Sequence, residues 1–309
     1  MTTLRLAHSP DSDDLVMWWP LTGMRGPDGS RVAGELGTPR IDTEGLGCEL
    51  VAEDVEALNA AVRGDADAPL DITAISAATY PAIQERFAIT RCGGSFGEGY
   101  GPKVVVTDAS PIATVDDLRG RTIAVPGLGT SAFLTLSMAL GSKPGEPAFH
   151  AEPMLFSDVP GAVTSGRADA GLLIHEAQLT FAELGLRAVV DLGQWWGGRT
   201  DLPLPLGLNV IRRDLDQRVD GGTAKVSRVL SRSVEYATSH ATESQEYLLL
   251  HSDDRPEWRD PKLVEKYLSM YVSRMSLDMG DRGVEALQRF LGAGAERGLC
   301  PDAGEINAI

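Results

Sequence analysis

The chain has 309 residues, enough for two domains of ordinary size, and its 43% hydrophobic and 23% charged residues are those of a soluble globular protein. Its 44 acidic and 28 basic residues leave a formal net charge of −16, which argues against nucleic acid and against an anionic membrane as partners, since both require a basic footprint. Three distant cysteines, Cys48, Cys92 and Cys300, offer neither a disulfide framework nor a metal-ligand pair; with no basic-then-apolar leader in MTTLRLAHSPDSDD, they predict a cytoplasmic protein.

Thr3–His8 predicts a first strand. The following Ser9-Pro10-Asp11-Ser12-Asp13-Asp14 caps a helix that Leu15–Trp19 begins, with Asp13 or Asp14 at its positive end. Three aspartates within four residues exceed what a cap needs, but no further acids stand at oxygen-ligand spacing, so no metal is expected. Thr22–Leu46 is rich in Gly, Pro and charge and predicts an exposed excursion. Gly47–Ala52 predicts a strand, Asp54–Arg63 an amphipathic helix stopped by Gly64, and Leu70–Ile75 a strand followed by Ser76. Ala77–Arg86 then reads as helix, with Pro81 near its first turn, and Phe87–Arg91 as strand. Alternating strand and helix predict a mainly parallel sheet.

Cys92–Pro102, CGGSFGEGYGP, is glycine-dense and predicts a crossing between domains. Lys103–Thr107 and Arg121–Val125 read as strands, Thr114–Leu118 as a helical turn, and Pro126–Ser131 as a loop onto the helix Ala132–Leu140. Converging glycine N–H groups at a helix start suit an anion. From local sequence alone a tight turn with an N-cap explains that loop better, because the lysine and spacing of a phosphate loop are missing. His150–Phe156 predicts a strand and Val159–Ser165 a helix.

Ala170–Ile174 is a short apolar run that ends in His175 and Glu176, with helical spacing over Ala177–Leu184. The carboxyl end of a strand is where open α/β sheets present ligand groups, and histidine moves protons near neutral pH. A corner histidine bonded to backbone is the plainer alternative. Arg187–Leu192 and Gly207–Ile211 read as strands separated by the irregular Gly193–Pro205, and the rest, Gly222–His251 and Pro261–Gly298, as helices.

This order predicts an α/β protein with a discontinuous larger domain, 1–100 plus 205–309, and an inserted smaller one, 101–204. Two lobes, two interdomain crossings and a central cleft resemble the type II periplasmic-binding-protein architecture. Ser9–Asp14 and Ser76 from one lobe would face Thr130, Ser131 and His175 from the other.

Across nearly the whole chain, the motifs resemble the 1,4-dihydroxy-6-naphthoate synthase family of the futalosine route to menaquinone. LRLAHSPDSDD stands where that family has its SPCPND opening. The likeness continues through GEGYGPKVV (97–105), IAVPGLGTSAFL (123–134), AGLLIHEAQLTFAELGL and LPLPLGLNVIRRDL (202–215) to YVSRMSLDMGDRGVEAL (271–287). It implies a lyase that converts cyclic dehypoxanthine futalosine to 1,4-dihydroxy-6-naphthoate without a cofactor. His175 would be the general base, Asp14 would hold substrate hydroxyls, and Ser76, Thr130 and Ser131 would hold the substrate carboxylate. Glu176 either orients His175 or points into its own helix. The family's Cys-Pro-Asn-Asp is here Asp11-Ser12-Asp13-Asp14, and Asp13 in place of Asn adds a charge that repels a carboxylate unless it is paired or capping. Two alternatives stay open: a solute-binding protein for a small carboxylate, and the related dehydratase that acts on chorismate-derived precursors in the same pathway.

Overall fold

In the computed structural model, which describes residues 2–64, 70–252 and 255–309, eleven strands form two sheets. The first half of the chain lays down β1 (Thr2–His8), β2 (Leu46–Ala52), β3 (Ile72–Ser76), β4 (Phe87–Ile89) and β5 (Ser95–Gly97). The second sheet is built from β6 (Lys103–Thr107), β7 (Thr122–Val125), β8 (His150–Pro153), β9 (Ala170–Leu173) and β10 (Leu186–Asp191). The chain then returns to the first sheet with β11 (Leu204–Arg212). The strand orders are β2-β1-β3-β11-β4, with β5 also on β11, and β10-β6-β9-β7-β8. The fold is thus α/β in two lobes, and the chain passes between them twice.

Both sheets are mixed rather than mainly parallel. β1, β2 and β3 run together, as do β7, β8 and β9, while β11 and β6 run against their neighbours. The registers show why. Gly207, near the start of β11, lies opposite Ser76 at the end of β3, and Lys103, which starts β6, lies opposite Leu173, which ends β9. A strand that has just crossed between lobes enters its sheet at the cleft side, where the parallel strands end.

Three other elements depart from the sequence reading. Ala77–Ala82 is only a 3₁₀ turn, since Pro81 has no N–H to continue a helix. β5 lies hidden inside the glycine-dense crossing. Leu192–Thr200 is helical, because Asp191 accepts from Gly193 and Gln194 N–H at 2.9 and 3.1 Å and offsets the poor propensity of its glycines. The Thr22–Leu46 excursion is largely irregular, yet Met24 is buried with Trp19 and Tyr247.

Apolar residues of β1, β3 and β11 (Leu4, Leu6, Ile72, Ile211) pack under the long helix Gly222–Ser239 through its stripe Val226, Val229, Leu230 and Val234. The two crossings touch where both backbones narrow to glycine. A Cβ on Gly193 would stand 1.9 Å from the Tyr100 carbonyl oxygen, and one on Gly101 would stand 2.7 Å from Gly193 N. Backbone cannot give way there as a side chain can. Gly193→Ala should therefore destabilise by about 1–3 kcal/mol or more, read as a lower urea midpoint; an unchanged midpoint would show that the crossings are not tightly joined. Among the described residues, no helix is long and apolar enough to cross a membrane.

Candidate active site

The end of β1 runs into helix α1 (Ser12–Trp18), and the aspartates there divide their work. Asp11 is the N-cap and accepts weakly from Asp14 N–H at 3.4 Å. Its other carboxylate oxygen lies 2.6 Å from His175 Nδ1, across the cleft. Asp13 accepts from the Tyr267 hydroxyl at 3.3 Å. Asp14 accepts from Ser9 N–H at 2.7 Å and Trp18 Nε1 at 3.3 Å. All three are buried.

Opposite them, β9 ends in a sharp corner. His175 has φ +54°, a left-handed conformation that costs a non-glycine residue energy and is concentrated at functional sites. The corner sends consecutive side chains in different directions. The His175 ring meets Asp11 and packs edge-on against Phe156, with centroids 4.7 Å apart. Glu176 instead reaches the first lobe: its Oε1 accepts from Ser12 Oγ at 2.8 Å, Ser12 N–H at 3.3 Å and Trp258 Nε1 at 3.1 Å, and Arg255 lies 3.9 Å from Oε2. The carboxylate on His175 Nδ1 is therefore Asp11, and Glu176 points neither at that nitrogen nor into its own helix. It ties the lobes together. Glu176→Ala leaves three donors without their acceptor, so it should cost about 1–3 kcal/mol in urea denaturation; no loss of stability would mean that this tie contributes nothing.

Burial pulls the charged state of these groups one way and their neighbours pull it another. Burial raises the Asp11 carboxyl, but the charge of His175 and its hydrogen bonds outweigh that and hold it down at about 2. Burial lowers His175, but Asp11 outweighs that and raises its pKa above the ordinary value. Among the described residues, neither Asp13 nor Asp14 forms an ion pair. Burial first, and then the charge of Asp11, raise Asp13 well above the carboxylate range and Asp14 to about 8. A protonated Asp13 is uncharged, like the asparagine of the resembling motif, which removes the repulsion that its charge would bring.

Ser76 closes β3. Its hydroxyl accepts from Asn59 Nδ2 at 3.0 Å and its N–H donates to Asn59 Oδ1 at 2.9 Å, so helix α2 (Val55–Arg63) fixes its position. Thr130 is the N-cap of α3 (Ser131–Leu140), accepting from Phe133 N–H and donating to the Gly127 carbonyl. The Ser131 hydroxyl donates to the Leu206 carbonyl at 2.7 Å and accepts from Ala78 N–H at 3.2 Å, both in the first lobe. Thr130 and Ser131 thus commit their hydroxyls to backbone in this closed arrangement. The anion on the glycine loop belongs to the protein: Glu56 accepts from Gly129 N–H at 3.0 and 3.1 Å.

Ser76, Thr130, Ser131, Asp14 and His175 nevertheless line one cavity of about 90 Å³ between the lobes, together with Asp11, Asp13, Gln178 and Asn209. Glu176 is not among the lining residues. Asp11, the partner of His175, was legible only as an acid in excess of capping. Nothing local marked Asn59 or Trp258, because their roles rest on contacts across 17 and 82 residues.

The family model described as menaquinone biosynthesis matches residues 4–296. The chain belongs to this family. It is an enzyme of menaquinone biosynthesis. A 1,4-dihydroxy-6-naphthoate synthase of Thermus thermophilus is 34% identical over 300 residues, covering 97% of this chain and 96% of that protein. A crystal structure from Archaeoglobus fulgidus is also 34% identical, with a TM-score of 0.79 over 96% of this chain and 98% of that one. The alkanesulfonate-binding protein of Xanthomonas axonopodis pv. citri, at 16% identity and TM-score 0.66 over 99% and 96% of the two chains, shares the fold alone. The two-lobe, binding-protein-like architecture of this menaquinone-pathway enzyme therefore extends to receptors.

Proposed function

We propose that this enzyme is a 1,4-dihydroxy-6-naphthoate synthase, a lyase that converts cyclic dehypoxanthine futalosine to 1,4-dihydroxy-6-naphthoate. The observation that carries the reading is the Asp11–His175 pair at the wall of the interlobe cavity, with one member from each lobe. A receptor needs no proton carrier held by a buried carboxylate, whereas proton abstraction followed by bond cleavage does. With Nδ1 held by Asp11, His175 takes the proton at Nε2, and Asp11 stabilises the imidazolium that forms. The substrate carboxylate is held by the Ser76 hydroxyl and by the first-turn N–H groups of Ser131 and Ala132, which a helix start leaves without intrahelical acceptors. The Thr130 and Ser131 hydroxyls join only if ligand entry displaces their backbone partners. Asp14, uncharged at neutral pH, holds a substrate hydroxyl.

We further propose domain limits of 1–100 plus 205–309 and 101–204, supported by which strands share a sheet, and a cytoplasmic location, supported by three free cysteines. The test is incubation of the purified protein with cyclic dehypoxanthine futalosine, followed by chromatographic detection of the naphthoate. Saturable binding without product would favour a solute-binding protein. Product from a chorismate-derived precursor instead would favour the related dehydratase.

A further inference from the structure

We propose that Asn209 is a specificity-determining residue whose amide oxygen accepts a hydrogen bond from a ring hydroxyl of the bound carboxylate ligand; this rests on the naphthoate-forming reading above. Asn209 lies on β11, is 1% exposed and lines the interlobe cavity. Its backbone is fixed: its carbonyl accepts from Thr90 N–H and Thr90 Oγ1, each at 3.0 Å. Its side-chain amide nitrogen donates to the Gly93 carbonyl at 2.8 Å. A carbonyl can only accept, so the amide cannot be turned round, and its oxygen must face away from Gly93.

That oxygen is buried and has no hydrogen-bond partner among the described residues. A buried acceptor left unpaired is a cost that native structures rarely carry without a use. Its chemistry defines what would complete it. An amide oxygen takes an O–H or N–H and repels a carboxylate.

Its place on the sheet also defines where the donor sits. Asn209 is opposite Ala74 and Gly207 is opposite Ser76, so by strand alternation these four share one face. The Asn209 and Ser76 rows are two residues apart, about 7 Å at the rise of a strand, with only Ala74 and Gly207 beside them as floor. The donors at Ser76 and the start of α3 mark the carboxylate end of the cavity. Asn209 marks a hydroxyl-reading end, at a spacing that suits a flat fused-ring ligand.

Calorimetric titration of the wild type, Asn209→Leu and Asn209→Ala with 1,4-dihydroxy-6-naphthoate and with 2-naphthoate, which lacks both hydroxyls, tests this. Asn209→Leu keeps the volume of the side chain, while Asn209→Ala offers a second route should leucine not be accommodated. The wild type should prefer the dihydroxy ligand by about tenfold or more, and either variant should shrink that preference at least about fivefold. A merely structural Asn209 would weaken both ligands alike, and an unchanged preference in a variant overturns the assignment while leaving the enzyme reading intact. A wild type that binds both ligands equally also overturns the assignment alone. A wild type that binds neither overturns the naphthoate reading and this inference with it.

Discussion

His175→Ala should lower turnover by about a hundred- to ten-thousand-fold, the usual contribution of a positioned acid–base group, while affinity for 1,4-dihydroxy-6-naphthoate stays within about tenfold. The split is expected because the groups proposed to hold the carboxylate, Ser76 and the start of α3, are separate from the β9 corner. His175→Asn is the sharper variant. It retains a polar group of similar reach at a position whose left-handed φ asparagine tolerates well, and it removes the titrating nitrogen. Product formation followed by chromatography gives kcat, and equilibrium titration gives affinity. An Asn variant with wild-type turnover would return His175 to the role of a corner residue.

Asp11→Asn should be nearly as damaging at neutral pH, with a loss of about a hundredfold or more, because an imidazolium forming at Nδ1–Nε2 would lack its counter-charge. Its pH dependence separates chemistry from folding. In the wild type His175 must lose its proton to act as a base, and its raised pKa places the acid limb of kcat/KM above the ordinary imidazole value of 6.5. Without Asp11, burial is left as the largest influence on the ring and lowers its pKa, so the acid limb should move to lower pH. A limb that stays in place would show that another group controls it.

Stability should follow the same pair with the opposite emphasis. The depressed Asp11 carboxyl contributes stability above its ordinary value of 3.8 that is lost as pH falls toward about 2. The raised His175 contributes stability below 6.5 that is lost as pH rises through its folded-state value. Urea midpoints of the wild type should therefore exceed those of Asp11→Asn most clearly between these two limits. Asp13 and Asp14 work against this, since carboxyls with raised pKa values favour the folded state less once pH exceeds the unfolded value.

Much of the molecule is local enough to be read from residue order alone. Strands β1, β2, β6, β7 and β9 follow from short apolar runs ended by turn residues, and α2 and α3 follow from apolar spacing with Asp54 and Thr130 as caps. His175 stands out because a strand end followed by helical spacing places a titratable group where α/β sheets meet ligands. Ser76 and Thr130 stand out for the same reason, as the polar residues at which a strand or loop gives way to a helical turn.

What sequence order could not settle depends on partners far along the chain. The reversed direction of β6 and β11 follows from which side of the cleft each strand enters. The choice of Asp11 over Glu176 as the partner of His175 depends on a left-handed corner that turns two adjacent side chains apart, so that one meets α1's cap and the other meets Ser12 and Trp258. The protonation of Asp13 and Asp14 depends on burial beside like charges, which composition alone does not reveal. Sequence determines which groups end their elements at the cleft; only closure of the two lobes decides which of them meet, because hydrogen bonds and charge interactions fall off over a few ångströms and each member of the pair comes from a different sheet.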